Sequence, residues 1–296
     1  MTKFKEVLGS RYPIVAMAMN QVSDIELAIA VRKAGAIPSL SIFNYFDNPS
    51  RIVHDLERYY EEFNDYKLLL SLNVFQLVSS KFLNLITKYR IEFLEIIPDM
   101  RDEFPDHSVQ LEIRNSTIES LSSHGVKIFV KRNQDIDIPP HIAGIILKGK
   151  EGAGRGVEST EVLFNHMSNK YPHLDIIVSG GIGSADHIKY YMDKGALAVG
   201  IGTLLTTAQE CSISQDTKMK LVSATSKDVT RFSSGATQNA IVFKEIDEDD
   251  FNHTSGLAQG IRNPNNGHVF AGTAIDYVDK IRPVAEIINN LTRDYE

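Results

Sequence analysis

Cysteine is nearly absent from this chain of 296 residues: Cys211 is the only one. That excludes an intramolecular disulfide and argues against a zinc site built on cysteines. Basic residues are in deficit as well, with 31 Lys and Arg against 38 Asp and Glu and a net charge of −7. A chain without basic excess has little to set against a phosphate backbone or an anionic bilayer, so neither a nucleic-acid partner nor a membrane is expected. No apolar run approaches membrane-spanning length. Met1-Thr2-Lys3-Phe4-Lys5 lacks the apolar core of a secretion signal. The simplest address is a cytoplasmic, reducing one. Internal repeats and low-complexity tracts are also missing, and the early glycines lack the G-x-G-x-x-G spacing of a separate dinucleotide fold.

What is there suits one large barrel or two ordinary domains, with 43% hydrophobic residues for a core. Short apolar runs alternate with helical patterns. Strands are predicted at Ile14–Met17, Ile37–Ile42, Leu68–Val74, Phe93–Ile97, Val126–Val130, Ile145–Leu147, Ile176–Val178 and Leu197–Val199. Ser23 followed three residues later by Glu26 reads as a capping box opening a helix that stops at Ala34-Gly35. Asn48-Pro49 places proline at the start of the next helix. Phe82–Tyr89 and Ile118–Ser122 read as helix, and Val109–Ile113 as an extra strand. Between the fifth and sixth strands lies Pro139-Pro140 and no long helical pattern, so one barrel helix is expected to be short or lost. Repeated strand–helix units favour parallel pairing with right-handed crossovers, and eight of them favour a closed TIM-type (β/α)8 barrel over a doubly wound open sheet. The pattern changes near Ala208. From there to Gly267 a mainly helical cap is expected, inserted into a single domain that Pro283–Leu291 closes as a helix. The acidic run Glu245–Asp250 reads as solvated surface.

Glycines mark the end of the seventh and eighth strands: Gly180-Gly181-Ile182-Gly183 and Gly200-Ile201-Gly202-Thr203. Two adjacent strand ends with bare backbone can grip one phosphate through main-chain N–H groups. In an eight-stranded β/α barrel, that is where a cofactor phosphate often sits. Two tight turns without a ligand are the alternative.

Several segments together resemble the nitronate monooxygenase family, also called 2-nitropropane dioxygenases, whose fold is shared by flavin-dependent type II enoyl-ACP reductases. They are Tyr12 to Met19 continuing to Ala34-Gly35; Leu72-Asn73-Val74; Lys148-Gly149-Lys150-Glu151-Gly152-Ala153-Gly154-Arg155; Ser179 to Thr203; and Ala271-Gly272-Thr273. The third and fourth together are specific, and the order holds over nearly the whole chain. The resemblance implies a barrel that holds FMN non-covalently. Met17, Ala18 and Met19 would face the isoalloxazine, Asn73 would hydrogen-bond it, and Lys148 and Ala153 would lie near it. Gly180, Gly181, Gly200, Ile201, Gly202 and Thr203 would hold the phosphate.

Two departures matter. The family's histidine falls on Arg155, and arginine stays protonated and makes a poor base. Arg155 would instead bind an anionic substrate through paired N–H donors, unless it points to solvent or pairs with Glu151 or Glu158. Lys148 stands where the family usually has glutamine or, in some reductases, glutamate. A cation there would favour negative charge on the reduced flavin, unless the ammonium simply reaches water. Arg155 and Lys148 are the catalytic candidates. His253 and His268, in or beside the cap, are alternatives for the missing imidazole. The remaining histidines considered, His124, His141, His166, His173 and His187, show no metal-ligand spacing, and no metal is expected. Cys211 has no activating partner nearby.

The leading expectation is an FMN-dependent oxidoreductase of the nitronate monooxygenase type, acting on a small-molecule substrate. A flavin enoyl-thioester reductase driven by NAD(P)H is the second reading, and a flavin-binding protein without turnover the third. A homodimer is compatible with apolar residues on the cap.

Overall fold

The computed structural model describes residues 2–45, 48–97, 108–232, 238–242, 255–263, 265–293 and 295. Its strands, in chain order, are β1 (Ile14–Ala16), β2 (Ser39–Ser41), β3 (Leu69–Asn73), β4 (Phe93–Ile97), β5 (Lys127–Arg132), β6 (Gly144–Lys148), β7 (Gly154–Arg155), β8 (Asp175–Ser179), β9 (Ala198–Ile201), β10 (Val229–Phe232), β11 (Gln238–Val242) and β12 (His268–Phe270). Eight of them form one parallel sheet in the order β1-β9-β8-β6-β5-β4-β3-β2. Ile37 closes it by pairing with Val15, its N–H donating to Ile14 O at 3.0 Å and its carbonyl accepting from Ala16 N at 2.8 Å. The result is the TIM-type barrel.

Register decides which side chains meet inside. Successive residues of a strand alternate between barrel interior and helix layer. Val15, Ile37, Leu69, Phe93, Phe129, Ile146, Ile177 and Ala198 form one buried interior cluster, with Phe4 and Leu8 from the N-terminal helix (Lys3–Val7) and its cap plugging the lower end. Two residues further along each strand, the inward layer reads Met17, Ser39, Ser71, Glu95, Lys131, Lys148, Ser179 and Gly200. The barrel is therefore filled with hydrocarbon below and with hydroxyls and charges just under its C-terminal mouth. The alternate residues face outward. Ile145, Leu147, Ile176 and Val178 pack with Leu163, Phe164 and Met167 of the helix Thr160–Lys170.

Several boundaries differ from expectation for local reasons. The helix after β1, Ile25–Lys33, is capped by Asp24, whose carboxylate accepts from Leu27 N at 3.0 Å. Ser23 turns away from it: its Oγ accepts from Met19 N at 2.9 Å. Pro49 precedes the N-cap Ser50 of helix Arg51–Phe63 rather than starting the helix. Val109–Ile113 belongs to the helix Ser108–Ser123, not to a strand. Its five residues alternate, but continuing them puts Ile118 and Leu121 on one buried side, a helical spacing. Between β5 and β6 there is no helix.

The region after β9 adds helices Gln215–Ser223 and Ser255–Arg262. It also adds antiparallel pairing that sequence reading did not foresee: β10 with β11, β11 with β12, and β11 with the two-residue β7 from the barrel rim. The run 245–250 lies outside the described residues.

Candidate active site

The loop that leaves β6 is fixed from three directions. Glu151 sends its carboxylate to the start of the helix Thr160–Lys170, where Oε2 accepts from Thr160 N at 2.8 Å and from Thr160 Oγ1 at 2.6 Å. A carboxylate there complements the free N–H groups and positive end of the helix. The Glu151 carbonyl accepts from Thr273 N at 2.9 Å. Asn239 on β11, buried, donates through Nδ2 to the carbonyls of Lys150 (2.5 Å) and Gly152 (2.8 Å). Gly272 is required by closeness, since a Cβ there would lie 2.2 Å from the Glu151 carbonyl. The weakest of the five resembling segments, Ala271-Gly272-Thr273, is thus a clamp on the strongest one.

The glycine rim follows. Gly180 and Gly181 both have positive φ, +111° and +72°. Thr160 and Gly149 fill the side of Gly180, and Glu151 and Thr273 stand 2.9 and 3.0 Å from a Cβ built on Gly181. The N–H groups of Gly181 and Ile182 have no backbone acceptor among the described residues. Gly183 N–H donates toward His187 Nδ1 at 3.3 Å. On the next strand end, Gly202 caps the helix Thr203–Thr206, whose first N–H groups have no intrahelical partner. A Cβ on Gly202 would meet nothing closer than 3.6 Å. The Thr203 hydroxyl accepts from Gly272 N at 3.0 Å, which leaves its own proton to donate. Free backbone donors at two adjacent strand ends are of the kind that hold a phosphate-sized anion.

The ends of β1 and β3 complete the rim. Met17 N donates to Ile201 O at 2.8 Å, and the Met17 thioether occupies the space a Cβ on Gly200 would take. Ala18 and Met19 are half-buried beside it. Asn73 and Gln76 lock each other: Asn73 Oδ1 accepts from Gln76 N at 2.9 Å, and Gln76 Oε1 accepts from Asn73 N at 2.8 Å. Asn73 is left with its amide NH2 to offer. Gln76 Nε2 is a buried donor with no partner among the described residues. These orphan donors fit a heterocycle rich in carbonyl and ring-nitrogen acceptors at the mouth.

Lys148 ends β6 and is half-buried; a Cβ built on Gly152 would lie 3.3 Å from its Cε, and one on Gly154 3.3 Å from its Nζ. Burial pushes its ammonium down from the ordinary 10.5 to about 7. The like charges of Lys131 and Arg155 add to that lowering, and Glu95 opposes it. Glu95 is fully buried and pairs with Lys131 Nζ at 2.7 Å. Arg155, in β7, is half-buried opposite Gln238 of the cap strand β11. Ala153 lies beside it in the same loop, also half-buried. Glu151, one of the partners considered for Arg155, is engaged at Thr160 instead.

Other residues singled out from sequence fall elsewhere. His166 pairs with Asp135 at 2.9 Å on the outer surface. His268 is fully buried on β12, its ring 5.1 Å from that of Phe270. His253 lies outside the described residues. Burial pushes the Cys211 thiol up to about 11, which makes it a poor nucleophile. Among the described residues no three His, Cys, Asp or Glu side chains form a metal-sized group, and no helix is long and apolar enough to cross a membrane. Sequence reasoning missed Glu95, Lys131, Thr160, Gln76 and Asn239. The only sequence signal for Glu95 was a charge inside an otherwise apolar strand; Lys131 shares its strand with Lys127 and Arg132 and gave none.

A closed β/α barrel with its candidate site at the C-terminal mouth has the architecture of the barrel enzymes. Residues 142–294 match the family model described as nitronate monooxygenase, more than half of the chain. The chain belongs to the nitronate monooxygenase family and is an oxidoreductase of that type. Solved structures share the fold at low identity. FabK from Thermotoga maritima is 18% identical with a TM-score of 0.81, over 100% of this chain and 96% of that one. A nitroalkane oxidase from Streptomyces ansochromogenes is 14% identical with a TM-score of 0.76, over 99% and 98%. The enoyl reductase domain of MlnA, from the macrolactin biosynthesis cluster of Bacillus amyloliquefaciens, is 14% identical with a TM-score of 0.74, over 99% and 96%. No curated protein matches the chain.

Proposed function

We propose that the protein is an FMN-dependent oxidoreductase that oxidises a small organic anion of the nitronate class. The observation that carries this reading is the juxtaposition at one mouth of a mostly backbone-built anion cradle and the lysines Lys148 and Lys131 on the inward strand layer below it. Gly180, Gly181 and Gly200 to Thr203 would hold the phosphate through main-chain N–H groups and the Thr203 hydroxyl. Met17, Ala18, Met19, Asn73, Lys148 and Ala153 would border the ring system. Bound FMN supplies two-electron redox chemistry, which no side chain here can.

The protein's own part is binding and electrostatics. Arg155 presents a permanent cation beside the cap strand and orients an anionic substrate. Lys148 holds or releases a proton near neutral pH at Nζ. Strand β11 reaches the loop after β6 through Asn239, which holds the Lys150 and Gly152 carbonyls. Arg155 takes no proton from a neutral nitroalkane, so the site favours a substrate that arrives already deprotonated.

The test is anaerobic mixing of the flavin-loaded protein with an alkyl nitronate, the parent nitroalkane, NADH and NADPH, followed by visible absorbance. Bleaching by nitronate far faster than by nitroalkane is expected. Equal rates on both at neutral pH would overturn the anionic-substrate reading. Rapid bleaching by a nucleotide would instead assign the protein to the NAD(P)H-dependent reductases, and no bleaching by any of the four would favour flavin binding without turnover.

A further inference from the structure

Inside the barrel, one layer below the mouth, three charged side chains converge from three consecutive strands: Glu95 on β4, Lys131 on β5 and Lys148 on β6. The register explains how. Glu95 lies opposite Phe129, so Lys131 stands two residues higher on β5. Lys131 lies opposite Ile146, so Lys148 stands two residues higher on β6. The stagger is what closes the barrel, and it stacks the three charges as steps rising toward the mouth. The remaining members of the layer, Met17, Ser39, Ser71, Ser179 and Gly200, carry no ionisable group. From the loop above, Arg155 is the charge among the described residues that bears on Lys148.

A buried ion pair is no stabiliser by default. An apolar pair of similar volume usually does as well or better. The Glu95–Lys131 pair at 2.7 Å is therefore an expensive feature to keep in a barrel whose lower layer is all hydrocarbon. It leaves two lysines to one carboxylate, whose Oε1 lies 2.7 Å from Lys131 Nζ while Oε2 is buried with no hydrogen-bond partner among the described residues.

We propose that Glu95 and Lys131 are positioning residues for Lys148: together they set whether Lys148 carries a proton, so that it takes one up from water when negative charge arrives at the mouth and returns it when that charge leaves. The two act in opposite senses. Glu95 favours the Lys148 ammonium by its opposite charge, and Lys131 disfavours it by like charge and by pairing with Oε1 of the same carboxylate. What arrives at the mouth rests on the proposed FMN site. The coupling among the three side chains does not.

The test is NMR of protein labelled with 13C at lysine Cε, titrated from pH 5 to 10, as purified and after FMN addition. The signal missing in Lys148→Met identifies Lys148. Its midpoint is expected near neutral pH, displaced downward by roughly one pH unit in Glu95→Gln and upward by roughly one unit in Lys131→Met. Lys131→Arg, which keeps the charge, is expected to hold the wild-type midpoint. A merely structural pair would move the midpoint the same way in both neutralising variants, or not at all, and either result overturns the proposal. So does a Lys148 signal that does not titrate below pH 9. If Glu95→Gln does not fold, Lys131→Met decides alone: no upward displacement overturns the proposal. The visible spectrum of the same samples reports FMN binding separately, so a failure of the flavin reading is distinguishable from a failure of the charge coupling.

Discussion

On one side of the barrel mouth, the ends of β8 and β9 work by leaving side chains out. On the other, β4, β5 and β6 work by turning charged side chains in. The first side is crowded and backbone-built. Gly181 stands within 3.0 Å of Thr273 and Glu151 as a Cβ would see them, and its N–H is free of backbone partners among the described residues. The second side is built from Lys148, Lys131 and Glu95, where Lys131 and Glu95 pair with each other and bear in opposite senses on the charge of Lys148. Binding an anion needs fixed donors and tolerates no added atom. Moving a proton needs groups whose charge can change. On the proposed function, the barrel separates the two tasks by strand.

Breaking the glycine side should have the largest effect. In Gly181→Val the side chain meets Glu151 and Thr273 at a positive φ of +72°. FMN affinity is expected to fall by roughly 100-fold or more, equivalent to about 3 kcal/mol, in a protein whose circular dichroism stays native. Fluorescence titration of FMN checks this, and unchanged affinity would remove Gly181 from the cradle.

The charged side responds differently because it carries a standing cost. Lys148 has a folded-state value of about 7 against 10.5 when unfolded. Below pH 7 both states hold the proton and the full cost of burying the ammonium remains. Between pH 7 and 10.5 only the unfolded state holds it, so that cost fades as pH rises. Lys148→Met is thus expected to stabilise the FMN-free protein by about 3–5 kcal/mol at pH 7 or below, with the gain vanishing toward pH 10.5. Urea unfolding at pH 6, 8 and 10 measures it. A gain that grows with pH contradicts the assignment.

Smaller effects belong to the scaffold that joins the two sides. Glu151→Gln exchanges a carboxylate for an amide at the start of Thr160–Lys170 and should cost about 1–2 kcal/mol in urea unfolding. Asn239→Ala withdraws the cap strand's hold on the Lys150 and Gly152 carbonyls. It should cost about 1 kcal/mol and speed amide exchange in the loop 149–155, as read by mass spectrometry.

The same division explains what was legible in the sequence. Gly180 to Gly183 and Gly200 to Gly202 are contiguous clusters directly after apolar runs, so their place at strand ends could be read locally. Helix caps were half legible. Asp24 takes the role assigned to Ser23, because either can accept from the first turn and only the path of Met17–Met19 decides between them. Glu95, Lys131 and Lys148 are separated by 36 and 17 positions, and only the barrel stagger brings them together. β7 and β11 pair through two residues each, too short a pattern to be seen before the fold exists.

The central claim is that the glycine side holds the flavin while the charged side governs its chemistry. The measurement that tests it most directly is FMN binding and anaerobic nitronate reduction in wild type, Gly181→Val and Lys148→Met side by side. The expected result is a flavin spectrum in wild type and in Lys148→Met, its loss in Gly181→Val, and a changed pH dependence of nitronate reduction in Lys148→Met alone. A folded wild type that takes up no FMN on reconstitution, or a Lys148→Met that loses the flavin as fully as Gly181→Val, would contradict it.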